Sequence, residues 1–260
     1  MKSKNVQADL FVANLVDVSP KSDTSSMEVP LFALQKKTDI DQFVWEKGDA
    51  KVVITPNKYG RATIWDKDIL LYLFGQVAAA INNGIRPSRT IKATAHDILI
   101  STNRGTSGRD YEALKSALRR LRGTGIETNI KMDGVSENRE FSLIQSWRTI
   151  EKNPQGNMIA VEITLSEWMY RAVTNLDILT YDRAYFEITG GLERRLYEIF
   201  RKHCGRQPMW SISEGNLYHK SGSKGGLPNF RRSLKKLGGK VEGYRFEYDL
   251  EGKMIHVRTD

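Results

Sequence analysis

Four histidines, one cysteine and two glycine-rich turns are the places where this 260-residue chain could do chemistry. His203-Cys204-Gly205-Arg206 contains the His-x-x-Arg fragment used by tyrosine recombinases. A His and an Arg at the end of a basic helix are also what the helix dipole favours, so this four-residue match does not argue for a tyrosine nucleophile. The turns NRGTSG (103–108) and KSGSKGG (220–226) invite a phosphate-loop reading. Neither fits G-x-x-x-x-G-K-[ST] and neither sits between a strand and a long helix, which argues against nucleotide hydrolysis. No two histidines lie two residues apart, the spacing by which rolling-circle nicking enzymes hold a metal. A single cysteine gives neither an internal disulfide nor a Cys-rich zinc site. The expectation is a protein without catalytic residues, metal or cofactor.

What remains is charge. The chain carries 40 Lys and Arg against 31 Asp and Glu, a net charge of +9. Residues 201–240 hold ten of the basic residues and one acidic residue, Glu214, so the excess is concentrated there. Such concentration favours a polyanionic partner over general solubility. A membrane surface is the competing polyanion, but the basic residues alternate with Gly-rich turns instead of forming one long amphipathic helix. No apolar run approaches 18 residues and MKSKNVQADL has no hydrophobic signal core, so a cytoplasmic protein that does not engage membranes is expected.

The elements that must position these charges cluster in Thr94–Trp147. The stretch reads as a short helix (TAHDILIST), the turn NRGTSG, a longer basic helix (RDYEALKSALRRLRG) and a β-hairpin. Ser107-x-x-Asp110 is a start signal for the longer helix and Gly123 suits its end. Tyr111, Leu114, Leu118 and Leu121 recur at the spacing of one buried stripe. At about 100° per residue the other side carries Arg109, Glu112, Ser116, Arg119 and Arg120. A helix with an apolar back and an Arg-rich front, reached by a tight turn, is how a helix-turn-helix presents a reader to the major groove. The pattern returns: SALRRLRGTGIE (116–127) has an echo in RSLKKLGGKVE (232–242), each with a short helix and a Gly-rich turn upstream and a hairpin downstream. The reading is an α+β chain of two tandem winged-helix modules. Its candidate double-stranded-DNA contacts are Arg104, Arg109, Ser116, Arg119 and Arg120 in the first, and Lys224, Asn229, Arg231, Arg232, Lys235 and Lys236 in the second. Bidentate Arg to guanine and Asn to adenine would read bases, while Lys neutralises phosphate.

Around these readers the chain divides into an arm (1–45), a first module (46–175) and a second (176–260). SPKSDTSS makes residues 1–30 a mobile arm, with Leu31, Phe32 and Leu34 packing on the first module. KVVITPNKYGRATIW reads as two strands around a turn at Pro56-Asn57. Asp66 caps an apolar helix to about Asn83, with Ile69, Leu73, Val77 and Ile81 on its core face. RTIKAT and MIAVEIT are strands, IETNIKM pairs with REFSLIQSW as the wing, and Thr164-x-x-Glu167 opens a short helix. In the second module LERRLYEIFRKH is a helix and Ser211 or Ser213 caps the next. Pro228 opens the basic helix, and YRFEYDLEGKMIHVR is a hairpin with Tyr244, Phe246, Tyr248 and Leu250 on one face. Those aromatics cover the helices; they are not read as a platform for stacked bases.

Two blocks, ITPNKYGRATIWDKDILLYLFGQV (54–77) and PSRTIKATAHDILISTNRGTSGRDYEALKSALRRLRGTGIETNI (87–130), resemble the plasmid replication initiator protein A family. LERRLYEIFRKHCG and MWSISEGNLYHKSGS are similar to its second half, so the likeness spans about residues 28–258. It implies a TrfA-like, double winged-helix initiator that binds repeats (iterons) at a plasmid origin. It also implies work with the host initiator and the replicative helicase or its loader, a possible homodimer, repression of its own gene and so copy-number control. DNA binding and two modules come from the residues themselves; replication, as against a repressor with the same readers, comes from the resemblance.

Overall fold

Helix α2 (Lys67–Asn82) is buried nearly all round and stands between two apolar cores in the computed structural model, which describes residues 10–15, 17–130, 139–151 and 158–260. Leu70, Leu73, Phe74 and Val77 join a core formed by residues 11–178. Leu71, on the opposite side, joins a second core formed by residues 181–257 together with Met27. A helix apolar on more than one face has to be covered on more than one face, and here two layers of the same chain cover it.

The first core is closed by two sheets and three helices. One sheet has the order β1 (Phe11–Ala13), β5 (Thr90–Thr94), β9 (Met158–Leu165), β8 (Ile144–Glu151), with β1 parallel to β5 and the other pairs antiparallel. The other is antiparallel, in the order β3 (Phe43–Lys47), β4 (Ala50–Thr55), β6 (Gly125–Thr128), β7 (Arg139–Ser142). Helices α3 (Ala95–Ser101), α4 (Gly108–Gly123) and α5 (Glu167–Thr174) pack against them. The hairpin of IETNIKM and REFSLIQSW forms as β6 and β7, and its tip, residues 131–138, lies outside the described residues. REFSLIQSW itself breaks at the buried Leu143: β7 stays with β6, and β8 crosses to the other sheet.

The second core repeats the order helix, helix, hairpin. Helix α6 (Gly191–His203) leads to β11 (Trp210–Ser213), α7 (Glu214–Ser221), α8 (Leu227–Lys236) and β12 (Lys240–Val241). The chain then forms the hairpin of β13 (Tyr244–Asp249) and β14 (Met254–Thr259), in a sheet ordered β11-β14-β13-β12. Ser213 caps α7 and Pro228 lies in the first turn of α8. Tyr244 and Phe246 are buried as the alternation requires, but Leu250 falls in the turn and is exposed.

Several expectations are corrected. The described part of residues 1–30 is not a loose arm, and Leu31, Phe32 and Leu34 pack on the first core as expected. Strand β2 (Lys21–Asp23) pairs with β10 (Ile178–Thr180), and Asp23 caps helix α1 (Thr24–Glu28) by accepting from Ser26 N at 2.7 Å. Gln76 on α2 bonds both the N–H and the carbonyl of Leu15. A boundary at 45/46 would cut β3, the strand that pairs with KVVIT in place of GRATIW. GRATIW is held irregular because Arg61 is buried and donates to the carbonyls of Pro30 and Leu31. Helix α5 is capped by Ser166; Thr164 stays in β9, bonded to Thr90. Asp66 does not cap α2 with its side chain, because that carboxylate is taken by Arg120.

Candidate nucleic-acid interface

Helix α4 begins in the turn after α3, where Asp110 accepts from the Ser107 N–H (2.8 Å) and hydroxyl (2.6 Å). These bonds hold the Asp110 carboxyl below its ordinary range. Leu114, Ala117, Leu118 and Leu121 are buried, and Arg109, Glu112, Ala113 and Arg122 are exposed. Ser116 and Arg119 are half-buried on the outward side, with the Arg119 guanidinium 5.7 Å from the Tyr59 ring. Arg109, Ser116 and Arg119 thus share an outer face, as the periodicity predicts. Arg104 and Arg120 do not join them. Arg104 reaches the Trp65 carbonyl and lies 3.7 Å from Asp68. Arg120 forks onto Asp66 with two bonds of 2.7 Å, which push its own pKa up. Both arginines anchor α4 and its leading turn to the first turn of α2.

The second unit repeats this division. Gly225 and Gly226 enter α8 with φ of +103° and +82°, a backbone that favours glycine. Phe230 and Leu234 point inward, and Asn229, Arg232, Lys235 and Lys236 are exposed. Asn229 donates to the Gly225 carbonyl (2.7 Å) and accepts from Arg232 Nη1 (3.2 Å), so the two outward side chains are oriented together. Arg231 turns back to Glu214 on α7 through bonds of 2.5 and 2.6 Å. This fork holds the Glu214 carboxyl below its ordinary range and pushes Arg231 up. Lys224 places its ammonium 2.8 Å from each oxygen of Asp39, on a loop of the first half.

Between the halves lies a buried polar layer. Lys67 bonds Glu198 (2.8 Å), Arg195 bonds Glu198 (2.9 Å) and the Lys220 and Ser26 carbonyls, and Arg194 bonds Asp68 (2.6 Å). The opposing charges hold Glu198 below its ordinary range even though burial raises it. Asp-Lys-Asp at 66–68 and Glu-Arg-Arg at 193–195 look like solvated helix starts in sequence. Only the basic residues beside the strongly apolar LYEIF hinted that α6 is buried on more than one side. Gly191, at the start of α6, sits so close to the Leu34 carbonyl that a β-carbon would lie 2.1 Å from it.

A profile of the family described as replication initiator protein A matches residues 21–245. The chain belongs to that family. This member is 40% identical over 260 residues to a putative replication protein of Wigglesworthia glossinidia brevipalpis, covering 98% of this chain and 94% of the relative. Its fold is similar to that of domains 2 and 3 of RctB. One crystal structure of those domains matches with a TM-score of 0.64, covering 92% of this chain and 99% of the other at 14% identity. A second gives 0.56 over 89% and 95%, at 13% identity. The likeness covers most of this family member, so its α+β fold is shared at very low identity. Among the described residues no helix is long and apolar enough to cross a membrane.

Proposed function

We propose that this chain is a plasmid replication initiator whose two helix–helix–hairpin units are winged-helix modules reading one stretch of double-stranded DNA. The observation that carries the reading is the division of cations on α4 and α8. In each helix one arginine is forked onto a carboxylate of the fold, Arg120 on Asp66 and Arg231 on Glu214, and the cations beside it are left outward. Arg109, Ser116 and Arg119 then face one groove, and Asn229, Arg232, Lys235 and Lys236 the next. Arg104, Arg120 and Arg231 hold the readers in place, and Lys224 links the halves. The chain acts by binding and not by chemistry. In the cytoplasm it binds iterons at the origin, brings the host initiator and the replicative helicase or its loader, and as a dimer represses its own gene, which limits copy number.

Two readers that use the major groove from one side of a duplex must stand about one turn apart, roughly 34–36 Å. One protomer should protect a single non-palindromic site of roughly 20 bp, because Arg109, Ser116 and Arg119 on one reader differ from Asn229, Arg232, Lys235 and Lys236 on the other. Origin sites are then direct repeats, and a self-repressed promoter carries an inverted repeat to match a two-fold dimer. Footprinting on DNA flanking the gene, with an origin-dependent plasmid maintenance assay, tests this. Protection of about 10 bp that is unchanged in a full-length chain carrying Arg232→Ala, Lys235→Ala and Lys236→Ala would leave one module, and maintenance without the protein would leave a repressor.

A further inference from the structure

A continuous line of contacts joins the end of α4 to the start of α8. Asn57 Nδ2 donates to the Arg119 carbonyl at 3.4 Å, and a β-carbon at Gly123 would fall 1.6 Å from that amide nitrogen. Asn57 also closes the turn 57–60, accepting from Tyr59 N at Oδ1 (2.8 Å) and from Gly60 N at its carbonyl (2.9 Å). Gly60, at φ +90°, is packed against Thr38 and Asp39, and Arg61 N donates to the Asp39 carbonyl at 2.8 Å. The Asp39 carboxylate then holds Lys224, one residue before the glycines that open α8. Turn 57–60 and loop 36–41 therefore form a bridge with both readers attached.

This bridge has its own charge. Lys36, Lys37 and Lys58 are exposed, and none of them pairs with a carboxylate among the described residues. Lys36 Nζ lies 5.1 Å from the Trp65 ring and Lys58 Nζ lies 5.2 Å from the Tyr59 ring. Tyr59 is 43% exposed and carries Arg119 on the same ring. Of the loop's two acids, Asp39 is neutralised by Lys224, and Asp41 lines a small cavity with Lys224 and Lys37.

We propose that this bridge is a third DNA-contacting surface, on which Lys36, Lys37 and Lys58 take phosphates where the duplex backbone passes from one reader to the other. Tyr59 is the prop that holds Arg119 and Lys58 in place. The inference rests on the two-reader reading. Readers one turn apart leave a minor groove between them, and its bordering phosphates face whatever joins the readers. Two packed turns present lysines from a fixed base, and lysine gives a phosphate contact that carries no sequence information.

The test uses the full chain with Lys36→Ala, Lys37→Ala and Lys58→Ala combined, on a DNA fragment bearing one site. Salt titration should show the slope of log K against log salt reduced by about one per contact, so by roughly three. Phosphate-ethylation interference should vanish at the centre of the site and persist at both ends. Tyr59→Ala should also erase the signals beside Arg119, and Tyr59→Phe, which keeps the ring, should retain them. An unchanged slope and unchanged central interference overturn the bridge, and the two-reader reading stands if Arg119→Ala and Arg232→Ala still weaken binding. If those two variants bind like wild type, both proposals fall together.

Discussion

Arg120 and Asp66 face each other through two parallel bonds, Nε to Oδ2 and Nη2 to Oδ1, each 2.7 Å long. The fork ties the last turn of α4 to the start of α2, so the outer face of α4 is set by α2 as well as by its own leucines. Asp66 is almost fully buried, and removing Arg120 leaves it without its counter-charge. Arg120→Ala should lower stability by about 2–3 kcal/mol, and Arg120→Lys should recover only part, because an ammonium cannot fork. Urea unfolding checks this. A variant of full stability that no longer binds DNA would return Arg120 to the reading face.

Reader and core should separate cleanly. Arg119→Ala and Arg232→Ala should leave the fold intact and cost on the order of 1–3 kcal/mol of specific binding. Leu118→Ala and Leu234→Ala empty buried positions and should cost about 2–5 kcal/mol of stability. Arg231→Ala belongs with the second group because it strands Glu214, only 2% exposed. Paired melting and binding curves for these variants give the comparison; the opposite pattern would reverse the helix faces.

Affinity should depend steeply on salt. With about 6–10 phosphates engaged, binding should weaken by roughly 10³–10⁵ between 50 and 200 mM salt. A nearly flat response in an equilibrium binding assay would mean that the cations of residues 201–240 serve something else.

Two carboxylates should shape acid stability in opposite senses. His203, whose Nε2 lies 3.2 Å from a carboxylate oxygen, then the hydrogen bond from Lys220, with Lys202 nearby, hold Glu28 far below its ordinary 4.5 despite burial. Its stabilisation is complete above about 4.5 and is lost as the pH falls below that. Burial pushes Asp68 up to about 6 against the pull of Arg194 and Arg104. Between about 4 and 6 the folded chain therefore binds more protons there than the unfolded chain, and stability falls as pH rises through that window. Melting temperature against pH should lose its acid drop in Glu28→Gln and its fall between 4 and 6 in Asp68→Asn.

Helix α4 was legible because its signals are local. A capping pair three residues apart and leucines at 3–4 spacing do not depend on the rest of the chain, and the same holds for RTIKAT, MIAVEIT and the helix of Leu196, Ile199 and Phe200. Arg120 was not legible in its role. Its partner is 54 residues away, and a helical wheel cannot show that a second helix packs on one flank of the polar face. SPKSDTSS misled for a related reason. Ser22, Asp23 and Ser26 are polar but buried, because Asp23 accepts from both the N–H and the hydroxyl of Ser26. Polar composition signals solvent only where such partners are missing. Lys58 and Tyr59 carry no local signal, because a turn of ordinary composition gives no sign of which helix end it touches.

Helix α1 and strand β2 also impose an order of events on biosynthesis. Glu28 ends α1 and finds Lys202, His203 and Lys220 only after residue 220 has been made, and Arg195 reaches the Ser26 carbonyl from 169 residues away. At about 5–20 residues per second the ribosome takes on the order of 10–40 s to make that span. Through that interval Met27, Ser22 and Asp23, all buried in the finished molecule, have no second half to lie against. The nascent chain therefore carries an open apolar edge on α2, at Leu71, until α6 and α7 emerge to close it. A ribosome stalled before residue 190 should hold a product that chaperones and proteases recognise, and one stalled with residues up to 257 outside the exit tunnel should not.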